Sequence, residues 1–101
     1  MRVIVMLRPT NKRGTKSAYT KFRKLLVREG FTLVQSEVFM RALPRKRSAI
    51  KLLNNLEANA PSAGAIVAFM ITERQFAERQ YLCGEPSYQE QVVGAKTQVL
   101  L

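Results

Sequence analysis

Acid–base and metal chemistry have few side chains to use in this chain, because it contains neither aspartate nor histidine. Its seven acidic residues are all glutamates and none precedes Glu29, whereas residues 1–28 contain nine lysines and arginines. General acid–base catalysis most often uses histidine or a carboxylate, and magnesium is usually held by carboxylate oxygens. The composition therefore argues against most hydrolytic mechanisms and favours binding of a polyanion.

The charge is divided unevenly along the chain. Residues 1–51 contain fourteen lysines and arginines against Glu29 and Glu37, a net charge of +12, whereas residues 52–101 have a net charge of −2. The whole chain has a net charge of +10 and a pI near 10.5. A charged surface also aids solubility, but acidic groups do so at least as well. We therefore expect a nucleic-acid partner.

The length of 101 residues predicts a single domain, small enough that oligomerisation is expected to contribute to its stability. We expect neither a membrane span nor a signal peptide, because no apolar run reaches 18 residues and the start lacks a typical leader. Cys83 stands alone, which excludes an internal disulfide and fits a cytoplasmic location. Without a histidine to activate it, Cys83 is predicted to pack in a strand rather than to act as a nucleophile.

Apolar runs and turn signals predict the order strand, helix, strand, strand, helix, strand, which is the ferredoxin-like α+β pattern βαββαβ. Two continuously apolar segments, 3–7 and 65–71, are predicted to be central strands. The irregular alternation within residues 31–42 predicts two short strands with a break at 35–37. The predicted helices begin near Thr15 or Ser17 and near Ser48, each a candidate cap, and the first ends at Gly30.

A C-terminal extension follows this core, so that we divide the chain into a domain at 1–85 and a tail at 86–101. Residues 72–75 form a capping-box pattern that predicts a third, short helix. Residues 81–83 predict a brief strand, and residues 97–101 predict a final one.

Both continuous strands are apolar on both faces, which is unusual for an antiparallel sheet with one face in water. The face away from the helices should therefore be covered, and a second copy of the chain is the simplest cover. We expect a homodimer, to which residues 92–101 could add a strand.

Two basic loops supply the candidate phosphate contacts. The first loop and the following helix start contain Lys12, Arg13 and Lys16, and the second loop contains Arg45, Lys46 and Arg47. Phosphate contacts position a duplex without reading its sequence, so no sequence preference is expected. The polar face of the first helix is also basic, which fits either a solvated surface or an extension of the phosphate-binding surface formed by the first loop. Its members are Lys16, Lys21, Arg23, Lys24 and Arg28. Base stacking is less favoured, because the aromatic residues Tyr19, Phe22, Phe31, Phe39 and Phe69 occupy core-like positions. The exposed candidates for stacking are Tyr81 and Tyr88, for which packing in the core or an interface is the better interpretation.

Several spaced blocks of the sequence resemble one known family. They are MRVIVML at the start, AYTKFRKLLVREGF, LVQSEVFM, ITERQF and YLCGE. The chain is similar to the small CRISPR-associated adaptation protein that is second in the numbered series, the Cas-two family, in the form found beside type II systems. The resemblance implies a ferredoxin-like homodimer that bridges two dimers of the CRISPR integrase, the first protein of that series. It also implies that the dimer helps to hold the duplex DNA of a new spacer.

The same resemblance implies a metal-dependent activity, because such proteins are also described as magnesium-dependent endonucleases acting on RNA or DNA. That activity rests on an aspartate at the end of the first strand, one from each subunit. The matching position here is Arg8, or Leu7 when Pro9 is aligned, and neither side chain can ligate a cation. Glu29 or Glu37 could in principle replace the aspartate as a ligand, but each has a plainer role, Glu29 at a helix end and Glu37 on the sheet surface. We therefore expect that the protein requires no cofactor and that magnesium is needed only if nuclease activity is retained. We expect Arg8 to be a further phosphate contact near the dimer axis.

Three hypotheses follow from these observations. A DNA-holding scaffold for the integrase predicts salt-sensitive duplex binding that a chelator leaves unchanged. A metal-dependent nuclease predicts cleavage that EDTA abolishes. A domain that binds structured RNA is favoured by composition alone, but it does not explain the apolar sheet face.

Overall fold

A computed structural model describes residues 1–91 of the chain and contains a four-stranded antiparallel sheet in the order β2-β3-β1-β4. The elements are β1 (Arg2–Arg8), α1 (Thr15–Arg28), β2 (Thr32–Gln35), β3 (Val38–Ala42), α2 (Lys46–Ala58), β4 (Ala65–Ile71) and α3 (Glu73–Ala77). This order confirms the predicted ferredoxin-like pattern. The strand predicted at 97–101 lies outside the described residues.

The core lies between one face of the sheet and the helices α1 and α2. Alternate residues of β1 face this core, and residues three or four apart on each helix face it, as the periods of strand and helix require. The buried cluster includes Val3, Val5 and Leu7 of β1, Tyr19, Phe22 and Leu26 of α1, and Ala49, Leu52 and Leu56 of α2.

The irregular stretch between β2 and β3 is a tight turn, as predicted. The pairing register of the two strands shifts between Leu33 and Gln35, and Glu37 adopts a φ of 61°. A positive φ is uncommon for a residue other than glycine. This turn is held against β1 because the backbone N–H of Leu7 donates to the carbonyl oxygen of Glu37 at 2.9 Å.

The two long helices begin differently from the prediction. Gly14, with a φ of 84°, precedes α1, and Arg45 precedes α2; within residues 1–91, neither helix start has a side-chain cap. Thr15 and Ser48 lie inside the first turns instead of preceding them, and Thr15 is buried. The first backbone N–H groups of both helices therefore lack the side-chain acceptor that the predicted caps would have supplied.

The other predicted helix ends are confirmed. Gly30, with a φ of 87°, follows α1, and its N–H donates to the carbonyl oxygen of Val27 at 3.0 Å. The capping box of α3 is complete, because the Gln75 N–H donates to Thr72 Oγ1 at 3.0 Å and the Thr72 N–H donates to Gln75 Oε1 at 2.8 Å.

Residues 78–91 fold back on the sheet without forming the strand predicted at 81–83. The Tyr81 hydroxyl donates to the carboxylate of Glu90, which raises the pKa of Tyr81, and Arg79 lies 3.4 Å from the same buried carboxylate. Gly84 has a positive φ of 74° and ends any extended segment. The prediction that Cys83 packs in a strand is therefore wrong, since it is exposed at a bend.

The helix α3 covers one part of the second sheet face through the side chain of Arg2. The Arg2 Nε atom donates to both carboxylate oxygens of Glu73, at 3.1 and 3.0 Å, and the guanidinium lies 3.8 Å from the centroid of the Phe76 ring. Arg79 lies 3.7 Å from the same centroid. The Arg2 side chain is 4% exposed, whereas that of Glu73 is 46% exposed. Of the two partners in this ion pair, only Arg2 is thus buried.

Glu73→Ala is expected to destabilise the fold more than Arg2→Met. Removing Glu73 leaves a buried guanidinium without its carboxylate, whereas Arg2→Met places an apolar side chain in the same environment and leaves Glu73 open to water. We expect losses of about 2–3 kcal/mol for Glu73→Ala and about 1 kcal/mol for Arg2→Met. Urea unfolding at one protein concentration measures both values, and a larger loss for Arg2→Met would contradict the explanation.

The other part of the second sheet face is apolar and exposed. Met6 of β1 pairs with Val67 of β4, and Ile4 pairs with Phe69. Met6, Val67 and Phe69, called here the open-face patch, are 38, 50 and 40% exposed. The expectation that Phe69 lies in the core is wrong, and β4 is an edge strand in the sheet of residues 1–91 rather than a central one. A strand sequence that is apolar on both faces does not distinguish a central strand from an edge strand, or a core position from an exposed one.

Candidate nucleic-acid interface

The residues Arg8, Lys12, Arg13 and Lys16, called here the first basic cluster, are all exposed at one end of the sheet. Arg8 ends β1 and pairs with Ala65 at the start of β4. It lies on the same sheet face as Met6, because alternate strand residues share a face. Lys12 and Arg13 belong to the loop that follows, and Lys16 lies in the first turn of α1. The structure therefore brings together four of the seven predicted contacts.

Close packing of the backbone positions the end of β1. Gly64 has a φ of 81°, and a Cβ atom added there would lie 2.6 Å from the carbonyl oxygen of Arg8. The Tyr19 hydroxyl donates to the carbonyl oxygen of the neighbouring Ala63 at 2.7 Å. These contacts fix the strand end, from which the Arg8 side chain extends, against α1 and the loop before β4.

The residues Arg45, Lys46 and Arg47, called here the second basic cluster, are exposed at the start of α2. They follow β3, in which Ala42 pairs with Arg2 at the opposite end of β1 from Arg8. Six residue steps along a strand correspond to about 20 Å. Within one chain, the structure therefore does not bring the two basic clusters together.

Each basic cluster surrounds the N-terminus of a helix. The first turns of α1 and α2 contain no acidic residue. The N-terminus of a helix is the positive end of its dipole, so lysine and arginine are unfavourable there. An anion at either position would accept bonds from the first-turn N–H groups, which have no side-chain acceptor within residues 1–91, and would offset the repulsion among the cations. Phosphate has the required chemistry.

The residues at the end of β1 do not fit a magnesium ion. Leu7 is buried in the core and Arg8 is cationic. Both oxygens of Glu37 are occupied by Arg23, whose Nε and Nη2 atoms donate at 2.9 and 2.8 Å and whose pKa is raised by this bond. Residues 1–91 contain no group of three or more Cys or Glu side chains arranged to hold a metal ion. Magnesium requires hard oxygen ligands, which this position does not supply.

Sequence reasoning missed the Arg23–Glu37 pair. The sequence pattern places Arg23 on the basic face of α1 and Glu37 on the sheet surface, 14 residues apart. Their contact depends on how α1 packs beside the β2–β3 turn, for which the local sequence carries no signal. The pair leaves Glu37 with a structural partner rather than available as a metal ligand.

Comparison with protein families gives a direct match over most of the chain. The model of the family described as CRISPR associated protein Cas2 matches residues 3–79. The chain belongs to the Cas2 family. This match includes both basic clusters, β1 from Val3 onward, the other three strands and α3, and it confirms the resemblance found in the sequence.

Individual relatives extend the likeness to the Cas2 family. A protein named CRISPR-associated endoribonuclease Cas2 from Acidovorax ebreus is 36% identical over 96 residues, which cover 94% of each chain. The protein of that name from Streptococcus mutans serotype c is 38% identical over 86 residues, or 84% of this chain and 79% of the relative. A third, from Treponema denticola, is 29% identical over 90 residues. Residues 1–91 of this Cas2 family member contain no helix with the length and apolar character needed to cross a membrane.

Proposed function

We propose that this member of the Cas2 family is a subunit of the CRISPR spacer-acquisition complex. Two copies form a homodimer that bridges two dimers of the integrase and holds the phosphate backbone of duplex DNA. The observation that carries the proposal is the purely cationic first basic cluster, at the strand end where the family resemblance implies an aspartate. This role would place the protein in the cytoplasm, together with the duplex DNA that it holds.

The open-face patch supports the homodimer. Met6, Val67 and Phe69 form a contiguous apolar area at the middle of β1 and β4, which a second sheet would remove from water. Within residues 1–91 the outer edge of β4 has no paired strand, and residues 92–101 are the proposed source of an added one. In a face-to-face dimer, Arg8 would approach the partner's Arg8 near the axis, where two guanidinium groups would repel a cation and suit a phosphate.

The number of cations is sufficient for tight but salt-sensitive binding. The two basic clusters contain seven lysines and arginines in each chain. If about 6–10 of those in a dimer contact phosphates, the affinity should fall by roughly 10³–10⁵ between 50 and 200 mM salt. Because lysine and arginine contacts to phosphate do not read bases, the binding should be independent of sequence.

A magnesium-dependent nuclease is the second candidate, and the name of the relatives favours it. Those proteins are called endoribonucleases. The chemistry of this chain weighs against the same activity, because Arg8 and Leu7 occupy the strand end and Arg23 engages Glu37. A domain that binds structured RNA is a third candidate, which competition between duplex DNA and ribosomal RNA would separate from the first.

Duplex binding in EDTA and in magnesium tests the proposal. We expect the duplex to bind in EDTA at least as tightly as in magnesium, which only competes as a counterion, together with a steep loss of affinity with salt and no cleavage of RNA or DNA. Arg8→Ala should weaken binding about 5- to 10-fold, since one charge-assisted phosphate contact is lost. A pull-down with the integrase, with and without a short duplex, tests the bridging role. Cleavage that EDTA abolishes and Arg8→Ala retains would support the nuclease instead.

A further inference from the structure

The helix α1 carries a line of cations that belongs to neither basic cluster. Lys21, Lys24 and Arg28 follow one another at steps of three and four residues and therefore lie along one side of the helix. All three are exposed. The buried residues of α1 lie on the opposite side, toward the sheet; they are Thr15, Tyr19, Phe22 and Leu26. The line thus points away from the open-face patch.

This line of cations has an electrostatic cost within the fold. Lys24 neighbours Lys21 and Arg28 at distances of three and four residues, and like charges at these spacings destabilise a helix. None of the ion pairs formed within residues 1–91 includes any of the three. Arg28 gains from the negative end of the helix dipole, but Lys21 and Lys24 lie too far from that end to share the gain. An external anion would remove the repulsion.

The helix α1 runs between the two ends of the sheet. It begins beside the first basic cluster and ends at Arg28, after which β2 runs parallel to β1. Arg28 therefore lies toward the end of the sheet that holds the second basic cluster. A helix of 14 residues is about 21 Å long, which matches the separation of the two clusters and the length of about six base pairs.

We infer that Lys21, Lys24 and Arg28 bind the phosphate backbone of one nucleic-acid duplex and carry it along the outer face of α1 between the two basic clusters. The inference rests on the proposed function and specifies the path of the duplex in it. The three side chains rise along α1 by about 4.5 and 6 Å, while each strand of a duplex offers a phosphate every 3.4 Å of its axis. Each cation can therefore meet a phosphate without any requirement for base sequence.

Lys21→Gln/Lys24→Gln tests this path. We expect the double variant to bind a 30-base-pair duplex about tenfold more weakly, and the slope of log K against log salt to fall in magnitude by about 2. Arg74→Glu is the matched control, since it removes the same two units of charge from an exposed site on α3 and should change the affinity less than twofold. In a lysine-acetylation footprint, the duplex should protect Lys21 and Lys24 of the unaltered protein.

The possible outcomes separate this inference from the proposed function. If Lys12→Gln/Arg13→Gln weakens duplex binding but the Lys21 and Lys24 variant does not, the path along α1 is wrong and the function survives. If the unaltered protein does not bind the duplex, both fail. If the Lys21 and Lys24 variant binds DNA normally but loses the integrase in a pull-down, the line contacts an acidic protein surface and the inference is overturned.

Discussion

Phe69→Glu should convert the protein from a dimer into a monomer at micromolar concentration. In the proposed dimer, the new carboxylate would lie in the apolar interface without a cation beside it, and burying an unpaired charge is costly. A loss of about 4 kcal/mol or more corresponds to an increase of roughly 1,000-fold in the dissociation constant of the dimer. Sedimentation velocity measures the change.

Ile50→Glu is the matched control for the open-face patch. Ile50 is 46% exposed on α2, close to the 40% exposure of Phe69, but it lies on the opposite side of the sheet. The control variant should remain a dimer. A monomeric unaltered protein would refute the argument from the covered sheet, and a Phe69→Glu variant that stays dimeric would place the interface elsewhere.

Neutralising the first basic cluster should weaken duplex binding by about 100-fold. The variant Lys12→Gln/Arg13→Gln/Lys16→Gln loses three phosphate contacts, each worth about 1 kcal/mol or more as a charge-assisted bond. The slope of log K against log salt should fall in magnitude by about 3. Fluorescence anisotropy of a labelled duplex measures both quantities.

The same triple variant should keep or slightly gain thermal stability. Its three substitutions remove cations from the positive end of α1, where they oppose the helix dipole. A lower melting temperature would show that these side chains stabilise the fold and that the loss of binding has a structural cause. For duplex binding, Arg74→Glu again serves as the control variant. It removes two units of charge on α3, compared with the three that the triple variant removes.

A truncated variant that tests the role of the tail should end at Gln91 rather than at Glu85. Residues 86–91 contact the folded domain, because Ser87 Oγ donates to the Val34 carbonyl oxygen at 3.3 Å and Glu90 is buried beside Tyr81. A cut after Glu85 would remove these contacts together with the tail. The division of the chain at residues 85 and 86 stays a prediction, and so does the tail strand.

The sequence predicted those parts of the fold that depend on local signals. The break between β2 and β3, the stop at Gly30 and the capping box of α3 each follow from a few neighbouring residues, and all three are confirmed. The predicted caps of α1 and α2 and the strand at 81–83 are wrong, since tertiary contacts override weak local preferences. The family resemblance, carried by spaced blocks, is confirmed by the match to Cas2.

The arrangement of the candidate site could be predicted only in part. The sequence identified seven basic residues, and these stay predicted phosphate contacts. The separation of Arg8 from Arg45 by the length of β1, and the pairing of Arg23 with Glu37, depend on strand order and helix packing. The separation follows from the strand order that the predicted βαββαβ pattern already implies, whereas the Arg23–Glu37 pair is not encoded in the spacing of neighbouring residues and could not be derived before the fold was known.

The exposed bend at Cys83 makes the protein convenient for spectroscopy. Cys83 is the one thiol of the chain, and it follows Leu82, which is 95% exposed. A nitroxide attached there would label one site in each copy without any mutagenesis. Two labels in a homodimer would give a single interspin distance, and adding duplex or integrase would show whether that distance changes.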